Sequence, residues 1–476
     1  MDISSSVQKP FYTKQYVAAV IATLGAFSIG TIFGWSSQAE PRILNNNGEI
    51  DYNIDREEFA WAVALMGLGG AIISIPAGLV VKRLGARRTL LFFVAPTTVG
   101  WVLIIWFRNA GMLLVGRLLT GFGAGAFCMV VPIYIGETVS AEIRGTAGSL
   151  FQQMINLGIL YAYLIGMASS VFTLSILCGI VPIVYGALFF FMPDTPTYLV
   201  LRNDAPKAVA SIKWLRGAHF DATAEVDEIR NHCQPTVAGY KKPSMWHSFR
   251  QPATVRALIT MLGLMFFLQM SGVNTVLFYT TSIFQSANVV IEPELATIII
   301  GAMQVFGTLV SSVIVDRAGR RVLLMVSGGA MMVSALAFGI YLLLLESDGD
   351  VASQVAQLGW IPVAALCVYV TLFSVGLGPV PWLMLGEIFA SDVKGPASAL
   401  ANMTSFGLSF VLSRLFPLAW DSIGGGPTFI IFAGFCLLAV VFVVLVVPET
   451  KGKSLGEVQI MLASGGRKAA APMFGK

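Results

Sequence analysis

The same phrase of charged residues occurs twice in this chain, each time between long apolar runs. The first copy reads Gly78-Leu-Val-Val-Lys-Arg-Leu-Gly-Ala-Arg-Arg88, then Gly136-Glu137 and, seven residues past the glutamate, Arg144-Gly145. The second reads Val313-Ile-Val-Asp-Arg-Ala-Gly-Arg-Arg321, then Gly386-Glu387 and, at the same spacing, Lys394-Gly395. A duplicated set of charged hinges within apolar sequence is the pattern of a membrane protein built from two related halves. Such a chain has few folds open to it.

Composition agrees. Of 476 residues, 56% are hydrophobic and 12% charged, with a mean hydropathy of +0.77. A soluble chain carries roughly a quarter charged residues, so too few are present to coat a soluble surface. A membrane span needs roughly 20 apolar residues. Twelve such runs are visible, at 16–38, 58–81, 89–107, 111–135, 146–168, 171–192, 255–280, 293–315, 321–345, 358–385, 397–420 and 427–447. The first is too long for the apolar region of a signal peptide and lacks a small-residue cleavage site, so it is expected to be a retained helix.

The long polar interruption falls after the sixth run. The expected organisation is therefore an all-α membrane protein with two pseudosymmetric six-helix bundles, over 1–192 and 255–447. A linker over 193–254 joins them and a tail covers 448–476. Within the linker, 206–217 and 221–231 have helical periodicity and are expected to lie at the membrane surface as amphipathic helices.

Orientation follows from the cations flanking the spans. Arg202, Lys207, Lys213, Arg216, Arg230, Lys241, Lys242, Arg250 and Arg256 lie in or beside the linker, and the 82–88 and 317–321 turns add more. The opposite loops carry Glu40, Glu49, Asp51, Asp55, Glu57, Glu58, Glu292, Glu294, Asp348 and Asp350. Both termini and the linker are therefore expected in the cytoplasm. The Asn402-Met-Thr404 sequon lies inside a span and is not expected to be glycosylated.

Five cysteines, Cys128, Cys178, Cys233, Cys367 and Cys436, show no paired spacing. The three histidines, His219, His232 and His247, all fall in the linker. They give neither a disulfide framework nor a metal site. No nucleotide-binding motif and no convergent acid–base or nucleophile set is visible. An enzyme, a cofactor and a nucleic-acid partner are not expected; the lipid bilayer is. One chain suffices for the fold.

The phrases above, with Gly116-Arg117, Pro132-Ile-Tyr-Ile-Gly-Glu137, Pro193-Asp-Thr-Pro196, Ser271-Gly-Val-Asn274, Gly378-Pro-Val-Pro-Trp382 and Pro448-Glu-Thr-Lys-Gly452, resemble the sugar porter family of the major facilitator superfamily in order and spacing. Within it, the motif wording is most similar to the insect facilitated trehalose transporters. The resemblance implies a rocker-switch carrier in the plasma membrane, with a central site for a small neutral sugar and a salt-bridge gate at the cytoplasmic face. The gate candidates are Glu137, Arg144, Arg317, Arg320, Arg321, Glu387, Lys394 and Glu449. Arginine clusters also fix topology, which is the plainer reading of the same residues. The first-half turn departs from the family wording, because Ala86 stands where an arginine is expected to reach Glu137. The Arg320–Glu387 pair keeps the pattern, so an asymmetric gate is expected.

A sugar presents hydroxyls and apolar C–H faces, so its site needs amides that both donate and accept, with an aromatic plate. The span amides Gln153 and Asn156 lie three apart on one helix face. Gln269, Asn274 and Gln304 are further candidates, whereas Gln152 reads as contact between helices. By resemblance, Gln153, Gln269 and Asn274 match sugar-contacting positions. Asn274 lies five residues beyond Gln269, roughly 140° round an ideal helix, so the two either line a wide cavity or need local unwinding. Trp382 follows a Gly376-x-Gly378-Pro379-x-Pro381 break that bends its span. It is expected to close over a sugar, the alternative being an interfacial tryptophan. Leu268, Ser374 and Ser405-Phe406 replace more polar or aromatic residues usual in the family, leaving a more apolar pocket.

Arg117 is a buried charge near this site and needs a partner. Proton-coupled relatives carry an aspartate where this chain has Ser36, which argues for passive transport. Glu40, four residues on, is the one acid that would support a proton symporter instead. A non-transporting sugar sensor is the reading from another class. The expected cargo is trehalose or a hexose.

Overall fold

The computed structural model describes residues 11–45, 52–233, 245–347, 350–390, 393–453 and 455–464. Glu49, Asp51, Lys241, Lys242 and Asp348 of the charge pattern lie outside them, as do the side chains of His232 and Cys233. The described chain is helical throughout, and twelve helices or broken helices are long and apolar enough to cross a membrane.

The first six spans are α1 (Thr13–Leu44), α2 (Arg56–Leu84), α3 (Ala86–Ile105), α4 (Ala110–Thr138), α5 (Ala141–Ala168) and α6 (Val171–Phe189). The polar segment folds as α7 (Pro196–Leu201), α8 (Ala205–Arg216), α9 (Ala222–Cys233) and α10 (Met245–Arg250). The seventh span is two helices, α11 (Pro252–Met270) and α12 (Val273–Ser286). Then come α13 (Pro293–Ala318), α14 (Arg320–Leu345) and the short α15 (Asp350–Ala356). The tenth span is also broken, into α16 (Ile361–Val375) and α17 (Pro379–Ile388). The remaining helices are α18 (Lys394–Ile423), α19 (Gly425–Leu445) and α20 (Leu455–Ala463).

Local sequence explains the ends. Asp55 and Glu58 form a reciprocal capping box at the start of α2, and the Asn109 side chain accepts from Met112 N–H (2.9 Å) at the start of α4. The duplicated turns share one backbone geometry. Gly85 between α2 and α3 has φ +81°, ψ 163°, and Gly319 between α13 and α14 has φ +94°, ψ 154°. That region is open essentially only to glycine. Pro41 does not end the first span: α1 continues to Leu44 with Pro41 inside it, longer than the 16–38 expected.

Spans of the first half pack chiefly on one another, α1 on α5 and α6, and α2 and α3 on α4. Those of the second half do the same, α14 on α16 and α19, and α13 on α16. The halves meet along α2–α18, α5–α13 and α1–α12. The end carrying the Gly-x-Arg-Arg turns is called the basic end below, and the other the acidic end.

The seam is fastened at the acidic end. Arg56 pairs with Asp421 (2.8 Å) and Arg414 with Glu57 (2.6 Å), both across α2 and α18. Arg414 also lies over the Trp61 ring, 4.9 Å from its centroid. Between α1 and α12, the Ser37 hydroxyl accepts from Thr281 N–H (3.1 Å), and the Ser282 hydroxyl donates to buried Glu40 (2.7 Å). Among the described residues, the Arg56–Asp421 and Arg414–Glu57 contacts are the ion pairs that join the halves; the other pairs lie within one half or the linker.

The break in the seventh span depends on Gly272, at φ +84°, where an added Cβ would stand 2.5 Å from the Phe432 ring. A left-handed conformation costs a non-glycine residue about 1–2 kcal/mol. Gly272→Ala is therefore expected to lower the thermal unfolding midpoint of the purified protein. Gly434→Ala in α19, where nothing lies within 4 Å of the added Cβ, is expected to leave it within error.

Candidate functional site

A cavity of about 70 Å³ lies in the seam between the halves, roughly midway along the spans. Its polar lining is Gln152 and Asn156 from α5, Gln269 from α11, Asn274 from α12, Gln304 from α13, and Ser405 and Ser409 from α18. Phe33, Phe151, Phe373, Trp382 and Phe406 supply aromatic surface. The two broken spans meet there: Gln269 and Asn274 flank one break, Gly378 ends the other, and Trp382 follows it.

Five of the six expected binding residues line this cavity: Asn156, Gln269, Asn274, Gln304 and Trp382. The sixth is corrected. Gln152 faces the cavity, whereas Gln153 is absent from its lining. Gln152 lies one full turn before Asn156 and donates to its Oδ1 (3.2 Å), so residues 152 and 156 define the inward face of α5. The three-residue spacing of Gln153 and Asn156 is also compatible with one face, and the family resemblance pointed to Gln153 as well; its Oε1 is buried without a partner in the protein.

Asn156 reaches across the seam as well, donating to Thr308 Oγ1 and to the Gln304 carbonyl (3.3 Å). Thr308 was not legible as a partner in the sequence. Gln304 lines the cavity, is buried, and its Oε1 has no partner in the protein. A buried acceptor of this kind is costly unless a ligand completes it. Leu268, at the expected apolar position, and Phe406 also line the cavity. Ser374 does not; its neighbour Phe373 takes that place.

Arg117 is fully buried and does have partners, though no carboxylate is among them. It donates to Ser36 Oγ (2.7 Å), the Ile32 carbonyl (3.0 Å) and the Ala62 carbonyl (3.3 Å), and lies over Trp35, 5.2 Å from the ring centroid. Glu40 engages Ser282 across the seam rather than Arg117.

At the basic end the second half holds a closed network. Arg320 pairs with Glu387 (2.8 Å) and Asp316 (3.0 Å), and Thr450 Oγ1 donates to the other oxygen of Glu387 (2.5 Å). Glu449 accepts from the backbone N–H groups of Lys451 (2.9 Å), Arg321 (3.0 Å) and Arg320 (3.1 Å). Burial would raise the Glu449 carboxyl, but these donors and the Arg320 charge outweigh it and hold it below the usual carboxylate range.

The first half has the matching scaffold with one part missing. Arg87 and Arg88 face Asp194 at 3.7 and 3.9 Å, where Pro193-Asp-Thr mirrors Pro448-Glu-Thr450. Ala86 occupies the place of Arg320, and Glu137 has no ion-pair partner among the described residues. Arg144, Arg317, Arg321 and Lys394 likewise form no ion pair among them. Arg144 turns to the Val139 carbonyl (3.5 Å), Arg321 to the Val444 carbonyl, and Lys394 to the Gly386 carbonyl (3.3 Å), while Arg317 accepts from Lys451 Nζ through its own carbonyl (2.5 Å). The Asp194 contacts and the Arg56–Asp421 and Glu57–Arg414 pairs are charged contacts that the sequence analysis did not pick out.

Residues 14–462 match the family described as sugar (and other) transporter. The chain belongs to the sugar transporter family. It is 35% identical over 468 residues to the facilitated trehalose transporter Tret1 of Bombyx mori, covering 98% of this chain and 90% of that protein. To Tret1 of Polypedilum vanderplanki it is 33% identical, covering 96% and 90%. To the longer Tret1 of Anopheles gambiae it is 34% identical over 96% of this chain, which spans 57% of that protein. In fold the transporter resembles the xylose transporter XylE from E. coli in a partially occluded inward open conformation, with TM-score 0.76, 23% identity, and coverage of 93% of this chain and 100% of that one. It also resembles the proton:xylose symporter XylE bound to 6-bromo-6-deoxy-D-glucose, with TM-score 0.74, 22% identity, and coverage of 94% and 99%. The major facilitator fold is thereby established for this all-α, twelve-span chain.

The acidic-end pairs can be tested without a substrate. In a Ser282→Cys background, Glu57→Arg is expected to raise labelling of the introduced thiol by a membrane-impermeant maleimide several-fold. Adding Arg414→Glu, which restores the pair with reversed sign, is expected to return it towards the starting rate.

Proposed function

We propose that this protein is a facilitative carrier that moves trehalose or a hexose across the membrane by alternating access. The observation that carries the reading is the cavity itself. It lies in the seam between two six-helix halves and is lined by amides from both, with an aromatic wall and a Gln304 Oε1 that has no partner in the protein. Neutral amides suit a neutral polyhydroxy ligand, because each can accept from one hydroxyl and donate to another. The aromatic wall suits the apolar faces of a sugar ring. The insect relatives, named for facilitated trehalose transport, support the same reading.

In this mechanism the units 1–192 and 255–447 rock about the cavity while the linker connects them. With the acidic end fastened, the cavity exchanges with the basic end. Releasing the Arg56–Asp421, Glu57–Arg414 and Glu40–Ser282 contacts opens the other side. Exposed ion pairs are worth only about 0–1 kcal/mol each, weak enough for the seam to part in every cycle. The Arg320–Glu387–Glu449 network stiffens the basic end of the second half and acts as its gate. We place the basic end, both termini and the linker in the cytoplasm by the positive-inside rule; the plasma membrane is what the resemblance to the sugar porters implies. Arg117 is satisfied by a serine and two carbonyls, so no acid is joined to it to carry a proton through the cycle. This supports uncoupled transport.

The test is uptake of labelled trehalose and glucose into proteoliposomes, with and without an inward proton gradient. Saturable uptake that equilibrates, unchanged by the gradient, is expected; accumulation driven by the gradient would contradict it. In the same assay Gln152→Leu and Gln304→Leu are each expected to raise the half-saturation concentration roughly tenfold, the loss of about 1–1.5 kcal/mol of hydrogen bonding. Gln153→Leu is expected to stay within about twofold of wild type on the same scale.

A further inference from the structure

Two buried bonds cross the seam in the same way. Ser74 in α2 and Thr308 in α13 occupy matching places in the two halves, each eleven residues before the glycine of its turn, Gly85 and Gly319. Each hydroxyl donates to the carbonyl four residues back, Ser74 to Gly70 (2.7 Å) and Thr308 to Gln304 (3.0 Å). Its one proton is thereby used, and it accepts from an asparagine of the other half. Asn402 Nδ2 in α18 donates to Ser74 Oγ (2.8 Å), and Asn156 Nδ2 in α5 donates to Thr308 Oγ1. Each amide nitrogen also donates to a carbonyl, that of Gly125 in α4 (3.2 Å) and that of Gln304 (3.3 Å) respectively. A carbonyl only accepts, so neither amide can turn end for end without losing its bonds. All four side chains are buried. Asn156 lines the cavity, whereas Asn402 and Ser74 are absent from its lining. Asn402, the asparagine of the sequon, thus ties α18 to the first half without facing a sugar.

The α2–α18 seam needs such a tie. The two helices run antiparallel, from Arg56 at Asp421, through Gly67 at Phe410 and Gly70 at Phe406, to Gly78 at Ala399. An added Cβ at Gly67 would stand 2.7 Å from the Phe410 backbone nitrogen, so the backbones lie close. On this face α2 presents Gly67, Gly70, Ala71, Ser74 and Gly78, residues too small to form the ridges that fix one helix against another. Such a surface lets α18 swing, and without a bond it would also let α18 slide along α2. A slide of one residue is about 1.5 Å, enough to break a hydrogen bond, whereas a swing about a point close to the bond changes its length little.

We propose that Asn402 is a positioning residue of the transport step: its bond to Ser74 persists while the halves rock and holds α18 in register on α2, so that it sets the rate of the conformational change and not the affinity for sugar. The inference rests on the alternating-access reading above and assigns to it a residue outside the sugar cavity. Asn156 and Thr308 hold the corresponding place on the α5–α13 seam.

Cross-linking tests whether the pair stays together. An added Cβ at Gly407 would stand 3.9 Å from the Ala71 Cβ, within disulfide reach. The Ala71→Cys/Gly407→Cys protein, oxidised in proteoliposomes with the bond verified by peptide mass mapping, is expected to take up labelled trehalose or glucose as fast as its reduced form. At the acidic end the Ser37 and Thr281 hydroxyls lie 3.1 Å apart. A disulfide in Ser37→Cys/Thr281→Cys is expected to stop uptake until it is reduced. A second measurement needs no cross-link. Asn402→Leu is expected to lower the maximal uptake rate about tenfold while leaving half-saturation in a tryptophan-fluorescence titration with the same sugars unchanged within error. Adding Ser74→Ala to Asn402→Leu is expected to cost nothing further, because the bond is already gone. Uptake stopped by the Ala71→Cys/Gly407→Cys cross-link would overturn the inference. So would an Asn402→Leu protein with an unchanged maximal rate, or one that loses affinity alone. Uptake that continues through both cross-links, or a wild-type protein that takes up neither sugar, would overturn the alternating-access carrier reading, and this inference with it.

Discussion

In hydrocarbon, a backbone N–H or carbonyl without a partner costs several kcal/mol, and everything in this fold is arranged around that cost. Helices meet it by pairing within themselves. The two places where spans break must meet it by other means, and each does so with side chains from neighbouring helices. At the seventh-span break the Tyr369 hydroxyl takes the Ser271 carbonyl. At the tenth, the Ser311 hydroxyl donates to the Val375 carbonyl (2.8 Å) and the Ser327 hydroxyl accepts from Leu377 N–H (3.0 Å). Both breaks adjoin the cavity. Gln269, Asn274 and Trp382, beside the two breaks, all line that cavity.

The two halves are copies with different fastenings. Their turns share a glycine conformation, and a Pro-acid-Thr segment after each half's last span meets the turn: Asp194 faces the guanidinium groups of Arg87 and Arg88, and Glu449 accepts from the backbone N–H groups of Arg320 and Arg321. Replacing one arginine by Ala86 removes the inner cation of the first copy and leaves Glu137 without its expected pair. The second copy keeps Arg320 between Glu387 and Asp316. In the proposed cycle the two halves rock asymmetrically, because the second carries at its basic end an Arg320–Glu387–Asp316 network that the first lacks.

Much of this was legible in the sequence because lipid leaves few choices. The number of spans, the interruption after the sixth, the break in the tenth span and the Ala86 departure follow from run length, glycine and proline positions, and the duplicated phrase; the break at Gly272 in the seventh span was one of two ways to account for the Gln269 and Asn274 spacing. Side-chain direction on α5 did not follow. Residues 152 and 153 are both glutamines, and only the rotation of the packed helix separates the one facing the cavity from its neighbour. Contacts between the halves were likewise hidden. Arg56 and Asp421, or Asn156 and Thr308, are far apart in sequence and share no motif. The end of α1 was misjudged because a proline inside a membrane helix is tolerated where neighbouring helices pack against it.

The central claim is that a sugar sits where the two broken spans meet the seam. Hydrogen exchange of the purified protein, followed by mass spectrometry with and without saturating trehalose or glucose, tests it most directly. The account predicts slowed exchange confined to the segments around Gln152–Asn156, Gln269–Asn274, Gln304, Leu377–Trp382 and Ser405. Protection centred elsewhere, or none there at concentrations that saturate transport, would contradict it.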